Sequence, residues 1–129
     1  MAVAITIPVM GATTYHYFFD GVSPTINSSS VVSTKNFDSN NEKHTIYLQA
    51  SKITESGYVY AVRNKKGVFF WDQDKVFAFN ITSTATPYSK TENTNLSGKY
   101  YYSLSNYDEY SNCSNADITF SNGYVKETS

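Results

Sequence analysis

His44-Thr45-Ile46-Tyr47-Leu48-Gln49-Ala50-Ser51 places His44, Ile46, Leu48 and Ala50 on one face of an extended chain and Thr45, Tyr47, Gln49 and Ser51 on the other. Successive side chains of a strand point to opposite faces, so this period of two reads as a half-buried β-strand. The same pattern recurs on both sides. Thr13 to Phe19 alternates and stops at Asp20-Gly21, which has turn chemistry. After a turn at Ser56-Gly57, Tyr58 to Asn64 alternates again. Asn64-Lys65-Lys66-Gly67 reads as a four-residue tip, with Gly67 supplying a positive φ, and Val68 to Trp71 as the return strand. Asp72-Gln73-Asp74 reads as the next turn, followed by Lys75 to Thr82 with Phe77, Phe79 and Ile81 on one face. Connections this short predict an antiparallel meander, because parallel neighbours need crossovers of a dozen residues or more.

The flanking segments are more polar. Ser23 to Ser39 is Ser- and Asn-rich and holds one brief strand at Val31-Val32. Ser83 to Ser97 contains Pro87, which argues against a central strand. Gly98 to Asn106 puts Tyr100, Tyr102 and Leu104 on one face. Ala116 to Ser121 puts Ile118 and Phe120 inward, and Asn122-Gly123 is a strong turn signal. No segment has the 3.6-residue period of an amphipathic helix. The expectation is an all-β fold: seven to nine short antiparallel strands in a two-sheet β-sandwich. Its predicted core is Ile46, Leu48, Val59, Phe77, Phe79, Leu104, Ile118 and Phe120.

Composition supports a folded β protein. The chain has 129 residues, enough for one domain that buries about two-thirds of its unfolded surface without a metal or disulfide. Charged residues are only 16 % and aromatic residues also 16 %, and disordered chains are depleted in aromatics. The net charge of -1, with no basic stripe, excludes the electrostatic footprint of a nucleic-acid binder. Arg63, Lys65 and Lys66 read as a charged hairpin tip. Cys113 is the one cysteine, so neither an intrachain disulfide nor a cysteine-rich metal site is available. Four glycosylation sequons, at Asn27, Asn80, Asn95 and Asn112, are about what chance gives in a chain so rich in Asn, Ser and Thr.

Residues 1–12 carry two readings, while 13–129 form the single predicted sandwich domain. Ala2 to Met10 is uncharged and apolar and runs into Gly11-Ala12, as in a truncated signal peptide. Val3, Ile5, Ile7 and Val9 also stand at strand spacing. The apolar run is too short for a membrane-spanning helix.

Gly98 to Asn106 resembles strand F of immunoglobulin-like domains, in which a glycine precedes an inward tyrosine by two positions. The resemblance covers nine residues, without the Cys…Trp…Cys set, and carries no ligand. It implies that Tyr100 bonds its hydroxyl to upstream backbone and that Tyr102 occupies the position of the second cysteine.

Motifs for chemistry are sparse. His16 and His44 read as ordinary strand histidines, and Asp72 and Asp74 as turn residues. No nucleophile elbow, P-loop or dinucleotide fingerprint occurs, so the expectation is no enzyme, no cofactor and no metal. Twelve tyrosines are more than a core easily uses, since a buried hydroxyl must find a partner. They suit cross-strand pairs on a solvent face or a recognition surface. Tyr107, Asp108, Glu109, Tyr110 and Asn112, in the loop before the final hairpin, are the predicted binding residues. The reading is a secreted or cell-surface binding module for a protein or glycan partner. The alternatives are a bacteriocin-like or toxin-like effector, or a structural subunit of a virion or filament.

Overall fold

The computed structural model describes residues 12–107 and 113–129. Both readings of residues 1–11 therefore lie outside the described residues. Among the described residues nine strands follow one another: β1 (Thr13–Tyr17), β2 (Thr25–Ile26), β3 (Val32–Ser33), β4 (Phe37–Glu55), β5 (Gly57–Lys66), β6 (Trp71–Ile81), β7 (Tyr88–Thr91), β8 (Leu96–Ser105) and β9 (Asp117–Thr128). The described residues contain no helix. All pairings are antiparallel, in an open sheet of order β1-β9-β4-β8-β5-β6, with β2 on β9, β3 on β8 and β7 on β4. All eight predicted core residues are buried, together with Phe18, Ile26, Phe37, Ala50, Ala61, Ile81, Tyr100, Tyr102, Ala116 and Val125, in a single cluster.

The 19-residue β4 joins the ladders. Phe37 to Glu42 pair with β8, and Lys43 to Glu55 pair with β9. A register shift falls between Ser39 and Glu42, where Asn41 adopts φ 56°. Asn tolerates this left-handed conformation better than most residues. The extra residue changes which side chains point inward: Phe37 and Ser39 before it, His44, Ile46, Leu48 and Ala50 after it. A bulge is the device by which a strand changes its buried face.

A second bulge corrects the expected Asn122-Gly123 turn. β9 runs straight through it to Thr128, and the register slips where Gln49 faces Asn122 and Ala50 faces Phe120. Ile118 and Phe120 point inward before the slip; Gly123, Val125 and Glu127 do so after it. Gly123 serves close packing: an added Cβ would lie 3.3 Å from Phe19 and 3.4 Å from Leu48. The predicted final hairpin does not form because Tyr124 to Thr128 pair with both β1 and β4.

The β5–β6 hairpin is also displaced from its expected position. Its register follows the core pairs Val59↔Phe79 and Ala61↔Phe77 and closes at Lys66↔Trp71. Val68 to Phe70 thereby become the tip instead of a return strand. Asp72-Gln73-Asp74 lies inside β6 instead of forming a turn, so there is no three-strand meander. Gly67 is not among the positive-φ glycines. It admits the Phe70 carbonyl, which would lie 2.9 Å from an added Cβ. Two further short strands, β2 and β7, lie where loop was expected. As the resemblance implied, the Tyr100 hydroxyl donates to the Ser97 carbonyl, at 3.0 Å.

Candidate functional site

The edge strand β1 carries the most developed site among the described residues. Its alternation sends Tyr15 and Tyr17 to one face and His16 to the other. Pairing sets Tyr17 opposite Tyr124 and Tyr124 opposite Tyr47, so three tyrosines cross three strands in one row. Tyr47 and Tyr124 stack with centroids 4.7 Å apart, and Tyr15 meets Tyr124 edge to face at 5.1 Å. Partial burial and the neighbouring phenols of Tyr47, Tyr15 and Tyr17 raise the Tyr124 hydroxyl above its ordinary value, so Tyr124 keeps its proton at neutral pH. Tyr15 and Tyr17 keep about half their surface exposed, at 47 % and 53 %. Together with His16, Asp20 and Lys35 they line an open concavity of about 380 Å³.

Behind this concavity a chain of polar groups crosses the core. The His16 ring stacks on Phe37 with centroids 3.7 Å apart, and its Nε2–H donates to Glu127 Oε1. Ser39 Oγ–H donates to Glu127 Oε2 at 2.5 Å and lies 2.7 Å from His44 Nε2. His44 Nδ1 lies 2.7 Å from the Tyr102 hydroxyl. Burial, then the electrostatic influence of Arg63 and of His16, push the His44 imidazole down to about 4. A neutral ring assigns the protons. Ser39 gives its proton to the carboxylate, so it accepts from His44 Nε2–H, and Nδ1 accepts from Tyr102. Burial, opposed by Arg63, holds the Tyr102 phenol above its usual range, so it keeps the proton it donates.

Arg63 continues the chain, and its burial corrects the expectation of a charged tip. It is 5 % exposed. Its Nε donates to Asp74 Oδ2 at 2.7 Å and its Nη1 to Glu92 Oε2 at 3.1 Å. Asp74 reaches it because the β5–β6 register shifts between Arg63 and Asn64. Lys75 Nζ shares Glu92 Oε2, at 3.0 Å. Burial alone would raise Glu92, but hydrogen bonds from Lys75 and Arg63 outweigh it and hold the carboxyl below its ordinary value.

Ser39, His44 and Glu127 include the residue types of a hydrolytic triad, but Ser39 is 7 % exposed and His44 not exposed at all. Reaching the hydroxyl would require displacing core side chains. What the arrangement does is satisfy buried polar groups and fix the rear wall of the concavity through His16. None of this was legible beforehand except the two histidines, because Ser39, Arg63, Glu92 and Glu127 meet only through long-range pairing. No group of three or more potential ligands capable of holding a metal occurs among the described residues.

Of the predicted binding residues, Asp108, Glu109, Tyr110 and Asn112 lie outside the described residues. Tyr107 is described, 42 % exposed, and forms an isolated bridge with Cys113, which is free and exposed. The base of this loop is tied by Asn106, whose Nδ2 donates to the carbonyls of Ser114 and Ala116, each at 3.1 Å. No described helix is long and apolar enough to cross a membrane. The chain matches no protein-family profile, no curated protein and no solved structure.

Proposed function

We propose that this chain is a binding module of the cell surface or extracellular space that acts without catalysis and takes a saccharide in the concavity beside β1. The observation that carries the reading is the union of two half-exposed tyrosines with His16, Asp20 and Lys35 around one hollow. Ring faces pack against the C–H faces of a sugar, while carboxylate, ammonium and imidazole groups bond its hydroxyls. Binding sites combine apolar contact with a few placed polar groups in this way. Tyrosine supplies such contact with little loss of rotamer freedom. The backing chain from Glu127 to Tyr102 supports the reading because it holds His16 in place before a ligand arrives. Packing of the open sheet into two sandwich layers around the single core belongs to the same proposal.

The test is a screen of the purified chain on a panel of immobilised oligosaccharides, followed by titration of any sugar retained. Replacing Tyr15 and Tyr17 together by Ala should weaken binding by at least about tenfold, the usual loss at aromatic anchors. Retention of no sugar, or equal retention by the double variant, overturns the reading. A protein partner on the Tyr107–Asn112 loop is the second reading, favoured by the exposed Tyr107 above a tied loop base. For it, Tyr107→Ala with Tyr110→Ala is the corresponding variant.

A further inference from the structure

The tip of the β5–β6 hairpin is the largest departure from ordinary surface composition in the described chain. Val68, Phe69 and Phe70 are 88 %, 82 % and 75 % exposed. Isolated surface apolar residues need no explanation, but three in succession at one tip form a patch of the kind that marks an interaction site. The fold gives no internal reason for them. The turn is closed by backbone, Gly67 N–H donating to the Phe70 carbonyl at 2.8 Å, and none of the three side chains joins the core cluster. Polar residues would close the same turn.

We propose that this tip inserts into the interface of an anionic lipid bilayer. The residues below it are arranged by depth. Trp71 and Tyr101 follow immediately, edge to face with centroids 4.8 Å apart. Trp and Tyr concentrate at the headgroup level of membranes, where an amphipathic ring meets both phases. The Lys66 ammonium lies 5.4 Å from the Trp71 ring, and Lys65 lies 5.8 Å from Tyr100. Both lysines are exposed and can turn toward phosphate. At this end of the sheet Lys65, Lys66 and Lys99 outnumber Asp72, which pairs across from Lys65, and Asp38, which faces Lys99. The excess of positive charge is small, so the surface needs both terms, apolar insertion and attraction to anionic headgroups. The shape selects the partner. A convex tip buries three apolar side chains in a medium that closes around it, which a bilayer does without a preformed pocket. This surface is separate from the β1 concavity and does not depend on it.

Trp71 is the sole tryptophan, so its emission reports on the tip alone. The 129-residue chain is mixed with vesicles of phosphatidylcholine, or of phosphatidylcholine with phosphatidylserine, and sedimented. We expect co-sedimentation with the phosphatidylserine vesicles and a blue shift of Trp71 emission. Phe69→Ser with Phe70→Ser should weaken partitioning at least about tenfold, since burying even one aromatic ring is worth that much. Lys65→Gln and Lys66→Gln should each weaken it about fivefold, with little further loss at high salt. An unchanged near-ultraviolet dichroism spectrum shows that the variants are folded. No sedimentation with either vesicle overturns the proposal, as does equal sedimentation of the Phe69→Ser/Phe70→Ser variant. Equal binding to phosphatidylcholine alone overturns the anionic assignment. Lipid-independent self-association abolished by the same two serines would assign the tip to a second copy of the chain and overturn it as well.

Discussion

The interior around His44 and the tip around Phe69 invert the usual distribution of residues in opposite directions. In the interior, charged and polar side chains from four strands, β4, β5, β8 and β9, and from Glu92 just past β7 lie out of water. At the tip, three apolar side chains stand in water. The interior is explained from within, since each buried donor and acceptor of the chain from His16 to Glu92 meets a partner. A buried polar group is destabilising only when its hydrogen bonds are left unmade. The tip has no such internal account. The pair teaches that a violation of polarity informs about structure when its partners lie inside the molecule, and about association when they do not.

The largest expected effect tests the interior half. Arg63→Met keeps the side-chain length but leaves Asp74 unpaired and Glu92 with Lys75 alone. Breaking one partner of a largely buried ion pair should destabilise the fold by about 3 kcal/mol or more, read from urea unfolding. A loss comparable to that of an exposed pair would mean that the interior chain is not the support described here.

The next effect is a pH dependence. An imidazole in the unfolded chain takes its proton near pH 6.5, whereas His44 takes its own only near pH 4. Between these values the unfolded chain binds more protons, so stability rises with pH across the window. The contribution of His44 is therefore complete above about pH 6.5 and is lost as pH falls toward 4, where the loss levels off. The full swing is at most about 3 kcal/mol. Urea midpoints measured across this range should fall with acidification, and His44→Gln should flatten that part of the profile.

Tyr102→Phe is the gentler cut through the same chain. It removes the hydroxyl that donates to His44 Nδ1 while keeping the ring in the core. The expected loss is about 1–2 kcal/mol by urea unfolding, that of one buried hydrogen bond with its acceptor left behind. At the other pole, Phe69→Ser with Phe70→Ser should change stability by no more than about 0.5 kcal/mol, because exposed residues outside the core contribute little. A large loss there would show that the tip packs against the protein, and the contrast between the two regions would collapse.

Much of the fold was legible because alternation is a local signal. Ile46, Leu48, Phe77, Phe79, Ile118 and Phe120 sit in runs whose period of two survives over four or more residues. What misled was punctuation. Asn122-Gly123 has the chemistry of a tight turn, yet a bulge uses the same residue types, and only the pairing of Tyr124 to Thr128 with β1 and β4 decides between them. Val68 to Trp71 looked like a strand because it is apolar, but the core pairs Val59↔Phe79 and Ala61↔Phe77 fix the register and leave it beyond the sheet. The candidate site was hardly legible at all. Tyr15, Tyr17, Tyr47 and Tyr124 become one surface, and His16 meets Glu127, only across separations of up to 111 residues.

That separation also bears on how the chain reaches its fold. Among the described residues β9 is the only strand that pairs β1, and it covers most of the length of β4, so both wait on the last described element in chain order. Loops this long close late and at an entropic disadvantage, and domains dominated by such distant pairings fold in milliseconds to seconds rather than microseconds. Until β9 arrives, the apolar faces of β4 and the open edge of β1 are available to any other strand, including those of neighbouring chains. The step most exposed to misassembly is thus the docking of a single strand, and Glu127, which closes the buried chain onto His16 and Ser39, arrives with it.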